Sequence, residues 1–528
     1  MNRVAAETIR TWLTEGEELA VLDVREHGQF GEGHVLHAVN VPYSRLELVV
    51  AGLVPRVGAR IVLMDDGDGV TKKAAGRLDA MGYSNVSVLD GDLASCEAAG
   101  FTMFKGEGVP SKTLGELAEE VGNLPSLTPA EMTSLIESGD DYILLDGRTP
   151  REFNNMSIPT GRSCPNAEMG YRLPVFVSDP ETKVVINCAG RTRSLVGAQS
   201  LRNLGFENPI YALENGTQGW TLAGFELARG QTPAPLPDVT GDHYAAAKSR
   251  AAEFMSENNI PFVDAKTLAD WTSDETRTLY LFDVRTDEEF AAGHLAGAIH
   301  APGGQLVQGT DHWVAVRGAR IVLCDDGDIR AANSAYWLRA MGHDVNVLSD
   351  DVSDAAPPLP ASNPEISLST ETLGTITPAD LNRMDPVPVI VDLRPSAAYR
   401  DAHVEGALWS IRPTLGSLDL AAGVSIVLAA EDKMIAELAA LDLRDAGAGT
   451  LHYLDGGPDD WRIGGLTITA TPDTPPDAER IDYLFFVHDR HFGNLEASQG
   501  YLNWELGLIG QLKDWERDLF PILDGHSA

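Results

Sequence analysis

A segment of this chain is used twice almost unchanged. Gly58-Ala59-Arg60-Ile61-Val62-Leu63-Met64-Asp65-Asp66-Gly67-Asp68 returns as Gly318-Ala319-Arg320-Ile321-Val322-Leu323-Cys324-Asp325-Asp326-Gly327-Asp328. A second signature occurs four times, an apolar run ending in Asp-x-Arg: Asp23-Val24-Arg25, Asp146-Gly147-Arg148, Asp283-Val284-Arg285 and Asp392-Leu393-Arg394. An aromatic follows five residues after each Arg (Phe30, Phe153, Phe290, Tyr399), and in three copies a histidine comes next: His34, His294 and His403. Self-similarity at this spacing means a repeat architecture. Each unit then shows a second strand, a loop, a helix ending near Gly82, Gly205, Gly342 or Gly447, and a third strand. Strands alternating with helices predict α/β domains with mostly parallel sheets flanked by helices.

The linkers are polar or Pro-rich: Gly106 to Pro125, Gly230 to Asp242, Ala355 to Glu365 and Thr471 to Pro476. They place domains at 1–105, 124–232, 250–355 and 370–470. A length of 528 residues agrees with roughly three or four cores. The first and third units match best, so the chain reads as a duplicated two-domain unit. The tail, 477–528, differs. It carries Tyr483, Phe485, Phe486, Phe492, Tyr501, Trp504, Trp515 and Phe520. Tyr501 to Leu519 reads as one amphipathic helix, packing on a domain or on a second copy in a homodimer.

One loop carries chemistry. The β-branched run Val184-Val185-Ile186 ends at Asn187-Cys188, and Ala189-Gly190-Arg191-Thr192-Arg193-Ser194 leads into a helical pattern of Leu195, Val196, Ala198, Leu201 and Leu204. A cysteine at a strand end, facing loop N–H groups and a helix N-terminus, is in a setting that favours thiolate. Cys188 is therefore the candidate nucleophile. Ala189, Gly190, Arg191, Thr192, Arg193 and Ser194 form the candidate cradle for an anionic substrate, with Arg191 and Arg193 on its oxygens. Thr192 and Ser194 either bond the sulfur or cap the helix.

The other units lack the thiol. At the matching position the first has Asp65, the third Asp325 and the fourth Ala430. Cys324, one position early, and Cys96 read as core residues; Cys164 is a weak candidate for a resolving thiol. The Asp-x-Arg and histidine motifs persist without the cysteine, so both read as structural. The second unit has Ser157-Ile158-Pro159 in place of the histidine, which argues against a histidine base. Arg172 is a candidate for the pocket rim. His488, Asp489, Arg490 and His491 read as a solvated turn rather than a metal site.

A net charge of −38 argues against nucleic acid and anionic membranes as partners. No run is long enough to span a bilayer, and no signal peptide is apparent. Four cysteines without metal or disulfide spacing suit a reducing, cytoplasmic setting.

These motifs, with Asn215-Gly216-x-x-x-Trp220 and its echo Gly456-Gly457-x-x-x-Trp461, resemble the rhodanese (thiosulfate sulfurtransferase) superfamily over nearly the whole chain except the tail. The resemblance implies four rhodanese-like domains of which one is catalytic. It implies a transferase that carries sulfane sulfur from thiosulfate or a similar donor, through a Cys188 persulfide, to cyanide or another thiophilic acceptor. Neither metal nor organic cofactor is expected. Two rival readings remain: a cysteine phosphatase of related fold, which would need one more residue between Cys188 and its arginine, and a non-enzymatic scaffold or sensor built from inactive copies.

Overall fold

The computed structural model describes residues 2–349, 370–488 and 494–521. The linker Ala355 to Glu365 and the residues Asp489 to His491 lie outside them. Four α/β units follow one another. In each, the local strand order is first-fifth-fourth-second-third, all parallel. In the second unit this order is Ser126–Leu127, Ile210–Leu213, Lys183–Asn187, Tyr142–Asp146 and Arg162–Ser163. The fourth unit repeats it with Gly374–Ile376, Leu451–Leu454, Ile426–Ala429, Val389–Asp392 and Leu408–Trp409. The strand that leads to the cysteine, or to its replacement, is thus the central one. Its apolar run is buried because helices cover both faces.

The Asp-x-Arg motif explains how each second strand ends. In all four units the Arg amide and guanidinium bond the Asp carboxylate, and Nη2 also donates to a carbonyl eight residues on: Gly33, Met156, Gly293 or Ala402. Each pair is buried and hydrogen-bonded, which a buried charge requires. The histidines are structural as expected. His34, His294 and His403 stack on the preceding aromatic at 3.8, 3.8 and 3.7 Å and hydrogen-bond its carbonyl.

The units are not beads on a string. Val316–Arg317 of the third unit pairs antiparallel with Leu19 and Ala20, adding an edge strand to the first unit's sheet. One apolar core runs through the first three units, the helix Val109–Gly122 and the helix Gly241–Glu257. Buried arginines hold the other seams. Arg330 reaches across to Glu168 and lies 4.4 Å over the Tyr171 ring; Arg412 pairs with Glu47 and lies 4.4 Å over Tyr43.

The tail departs from the expected single helix. Among the described residues it forms the short helix Phe485–His488 and then, where one helix was expected, Leu495–Leu506, Leu508–Gln511 and Asp514–Arg517. Of these last three, the first stops at Gly507, and Leu512 turns extended before the third. Its rings pack within the chain: Trp515 lies edge-on to Phe101 at 5.1 Å, and Leu508 and Phe520 enter the shared core. No helix among the described residues is long and apolar enough to cross a membrane.

Candidate active site

Cys188 is the first residue after the central strand Lys183–Asn187, and the helix Thr192–Asn203 starts four residues later. The loop is fastened from behind. Thr217 N donates to the Cys188 carbonyl at 2.8 Å and Gln218 N to the Ala189 carbonyl at 3.0 Å. This explains the Asn215-Gly216-x-x-x-Trp220 motif. Gly216 has φ +52°, and a Cβ there would lie 2.2 Å from the Cys188 oxygen, so only glycine permits the approach. Both carbonyls are thus held from the side of the helix Gly216–Leu222.

The Cys188 thiol donates to Ser194 Oγ at 3.6 Å, while that hydroxyl donates to the Arg191 carbonyl at 2.8 Å. Of the two candidate hydroxyls, Ser194 therefore meets the sulfur. Thr192 Oγ1 is buried and has no hydrogen-bond partner among the described residues, and it does not cap the helix. Asn166 Nδ2 donates to the Arg193 carbonyl at 2.8 Å and steadies the first turn.

Both arginines are ion-paired within the chain. Arg191 is buried and forms ion pairs with Glu116, at 2.8 Å, and with Glu119. Arg193 gives a two-pronged pair to Glu152 at 2.8 and 2.7 Å. Carboxylates thus already occupy the guanidiniums that the sequence reading assigned to a substrate oxyanion. Fixed carboxylates compete better for a buried guanidinium than a diffusing anion, because their ordering cost is met on folding. Arg172 also lies elsewhere, bonded to Glu168 and Glu289 at the seam with the third unit.

The expected thiolate setting is likewise altered by enclosure. Cys188 is 2% exposed. Burial pushes its pKa above the ordinary thiol value. The Arg193 charge pulls it back, as does hydrogen bonding of the thiolate form to the Ser194 hydroxyl and amide, and Glu505 adds a smaller upward push. Glu505 belongs to the tail helix, which covers the loop: a Cβ on Gly190 would lie 3.0 Å from Glu505 Oε2 and 3.7 Å from Leu502 Cδ2. The helix Val109–Gly122 covers the other side, with Gly115 facing Thr192. The site is thus assembled from the second unit, the linker helix and the tail. Sequence reasoning missed Glu116, Glu119, Glu152, Asn166, Leu502 and Glu505. For Glu152 a signal existed, since Thr149-x-x-Glu152 has capping-box spacing and forms that box. Cys164, Cys96 and Cys324 are buried free thiols, all raised by burial.

In the first and third units the loop amides bind the Asp that stands in place of the thiol. Asp65 accepts hydrogen bonds from Gly67 N, Thr71 N and Thr71 Oγ1 at 3.0, 2.9 and 2.9 Å. Thr71 occupies the place of Ser194, so Asp65 makes the contacts that a bound anion would. Asp325 takes Arg330 N and Ala331 N at 2.9 and 3.2 Å, plus the Arg330 guanidinium. A loop amide that binds the chain's own carboxylate is not available to a substrate anion.

A parallel sheet in this strand order, with a cysteine loop at the end of its central strand, defines a class of repeated α/β domain built around a thiol cradle. The family model of the rhodanese-like domain matches residues 5–99, 128–223 and 264–354, more than half of the chain, and the protein belongs to that family. The fourth unit lies outside those matches yet has the same strand order. A thiosulfate sulfurtransferase from Pseudomonas aeruginosa is 39% identical, with a TM-score of 0.89 over 98% of this chain and 99% of its own. A Rhodopseudomonas palustris protein of unknown function, described as a possible tyrosine phosphatase, is 28% identical over 21% of this chain and 91% of its own, with a TM-score of 0.20. A rhodanese-related protein from Thermoplasma volcanium is 25% identical over 20% of this chain and 97% of its own, with a TM-score of 0.17. The comparison with curated proteins returned no match.

Proposed function

We propose that the protein is a sulfurtransferase that works through a persulfide on Cys188, with thiosulfate or a similar small anionic sulfane donor. The observation that carries this reading is the difference between the four strand-end loops. Three hold Asp65, Asp325 or Ala430, whereas the second holds a thiol inside a loop fastened by Thr217, Gln218 and Asn166. The likeness to the thiosulfate sulfurtransferase supports the donor class.

The reaction is a double displacement. The Cys188 thiolate attacks the outer sulfur of thiosulfate. The S–S bond of the donor breaks, its electron pair leaves with sulfite, and Cys188 persulfide remains. The terminal sulfur lies against the loop N–H groups, which favour its negative charge. Cyanide or another thiophile then attacks that sulfur, and the Cys188 thiolate returns. The buried Arg193 charge favours the thiolate across the cycle, while the guanidinium itself stays on Glu152. A reducing, cytoplasmic setting suits four free cysteines, and substrates reach the enclosed thiol as small molecules.

The phosphatase reading meets a specific obstacle. Four residues separate Cys188 from Arg193, the next position is Ser194, and Arg193 is spent on Glu152. Steady-state kinetics with thiosulfate and cyanide test the proposal. Parallel double-reciprocal lines, with turnover abolished in Cys188→Ser, are expected. Turnover in that variant, or hydrolysis of an aryl phosphate by the native enzyme, would contradict it. The scaffold reading is tested by the same variant: a biological role retained by Cys188→Ser would count against an enzyme.

A further inference from the structure

The seam between the first and third units encloses a second basic centre, far from the thiol in sequence and independent of the function proposed above. Arg317 ends the strand that joins the two units. Its Nη1 donates to His37 Nδ1 at 3.3 Å and to the Met341 carbonyl at 3.4 Å. An imidazole nitrogen that accepts from a guanidinium carries no proton, so the proton of neutral His37 sits on Nε2. That Nε2 is buried, with no hydrogen-bond partner among the described residues. His343 lies beside them, and burial lowers its pKa to about 3, so its imidazole is neutral as well.

These groups line a cavity of about 40 Å³, together with Ala38, Ser111 and Asp311. One water needs roughly 10–15 Å³ by this measure, so the space suits a few waters or one small ion. Pro110 and Ser111 of its wall are in the first turn of the helix Val109–Gly122, whose positive dipole end therefore lies at the cavity. Asp311 lines the cavity but makes no ion pair with Arg317. Burial is the cause that draws the guanidinium down to about 10, and no carboxylate opposes it. Arg317 thus brings a guanidinium to this cavity beside the His37 Nε2–H donor, and among the described residues no carboxylate forms an ion pair with it. Buried cations in proteins are ordinarily paired, since the desolvation cost is otherwise uncompensated.

We propose that this cavity is a binding site for one small inorganic anion, a halide or a compact oxyanion, held by the Arg317 guanidinium and by His37 Nε2–H at the N-terminus of the helix Val109–Gly122. The anion would lock the first unit to the third and steady the start of the helix whose later turns hold Arg191.

The test is thermal unfolding of the full chain, native, Arg317→Met and His37→Phe, titrated with chloride, bromide, sulfate and sulfite. Ionic strength is held constant with gluconate, which is too large to enter. The native protein is expected to show a saturable rise in unfolding temperature with the halides or with the oxyanions, which distinguishes the two sources. Loss of a charged donor should weaken the apparent affinity about tenfold or more in Arg317→Met. His37→Phe, which keeps a ring against Phe520, should weaken it as well. Crystals soaked in bromide or selenate, whichever mimics the stabilising ion, should show anomalous density beside Arg317. The proposal is overturned if no anion gives a saturable rise in the native protein, if all three proteins respond alike, or if the anomalous density lies elsewhere.

Discussion

Arg193 and Glu152 are joined by two hydrogen bonds, at 2.8 and 2.7 Å, just behind the Cys188 loop. The third unit, which has no cysteine in its loop, repeats the relationship with Arg330 and Glu289 at 2.6 Å. In both units the acid is the third residue of a capping box opened by a threonine, Thr149 or Thr286. A pair that persists where the nucleophile is gone belongs to the scaffold. It ties the helix after the second strand to the loop after the fourth.

Removing one side of this pair should therefore cost stability before it costs chemistry. Glu152 is partly exposed, so Glu152→Gln is expected to destabilise by about 1–3 kcal/mol, between surface and fully buried pairs. The pair also sets a pH response. Burial pushes the Glu152 carboxyl up, but Arg193 and the Thr149 hydrogen bonds together outweigh it and hold the carboxyl at about 2, against 4.5 ordinarily. Its contribution is complete above 4.5 and lost as pH falls through about 2. Acid unfolding of Glu152→Gln followed by circular dichroism should show a shallower pH dependence between those values than the native chain.

Glu26 predicts the opposite sign. It is buried beside Ser44, and burial raises its pKa to about 7. A carboxyl raised on folding gives stability that is full below 4.5 and lost as pH rises through 7. Glu26→Gln keeps a donor and an acceptor for Ser44 without the charge. It should be more stable than the native chain at pH 8, by up to about 3 kcal/mol, and indistinguishable near pH 4. Urea unfolding at the two pH values checks this.

Gly115 marks where the linker helix meets the reactive loop. A Cβ at this position would lie 3.0 Å from both Cα and Cγ2 of Thr192. Alanine is ordinarily the better helix former by about 1 kcal/mol. Here overpacking of about 1–3 kcal/mol should exceed that gain. Gly115→Ala is expected to lower both the unfolding temperature and the sulfur-transfer rate. Gly52→Ala, at an open helical position, should gain stability and leave the rate unchanged.

The pH dependence of Cys188 alkylation should expose the charges around it. The native midpoint is expected above the ordinary thiol value of 9.0, because burial dominates. Glu505→Gln removes a negative charge and should move the midpoint down. Arg193→Met removes a positive one and should move it up. Iodoacetamide labelling read by peptide mass gives both curves.

The repeats were legible because strand-end motifs are local: Asp-x-Arg is a contact between residues two apart, and the Gly216 turn needs a glycine at one position. The setting of Cys188, a strand end followed by a glycine-containing loop and a helix, was legible for the same reason. What the sequence hid was long-range. Glu116 and Glu119 reach Arg191 from a segment that reads as a polar linker, and Leu502 and Glu505 come from a tail more than 300 positions away. Nothing in the pattern of Val316 and Arg317 tells that they join the first unit's sheet. Counting arginines near a cysteine also could not reveal that carboxylates had already claimed both.

The central claim is that Cys188 carries sulfur, and intact mass after incubation with thiosulfate tests it most directly. The native chain should gain about one sulfur atom, ~32 Da, as expected for a cysteine nucleophile attacking a sulfane donor. Cyanide should reverse the gain, and Cys188→Ser should show none. A native chain that stays unmodified, or a Cys188→Ser variant that gains the same mass, would contradict the account.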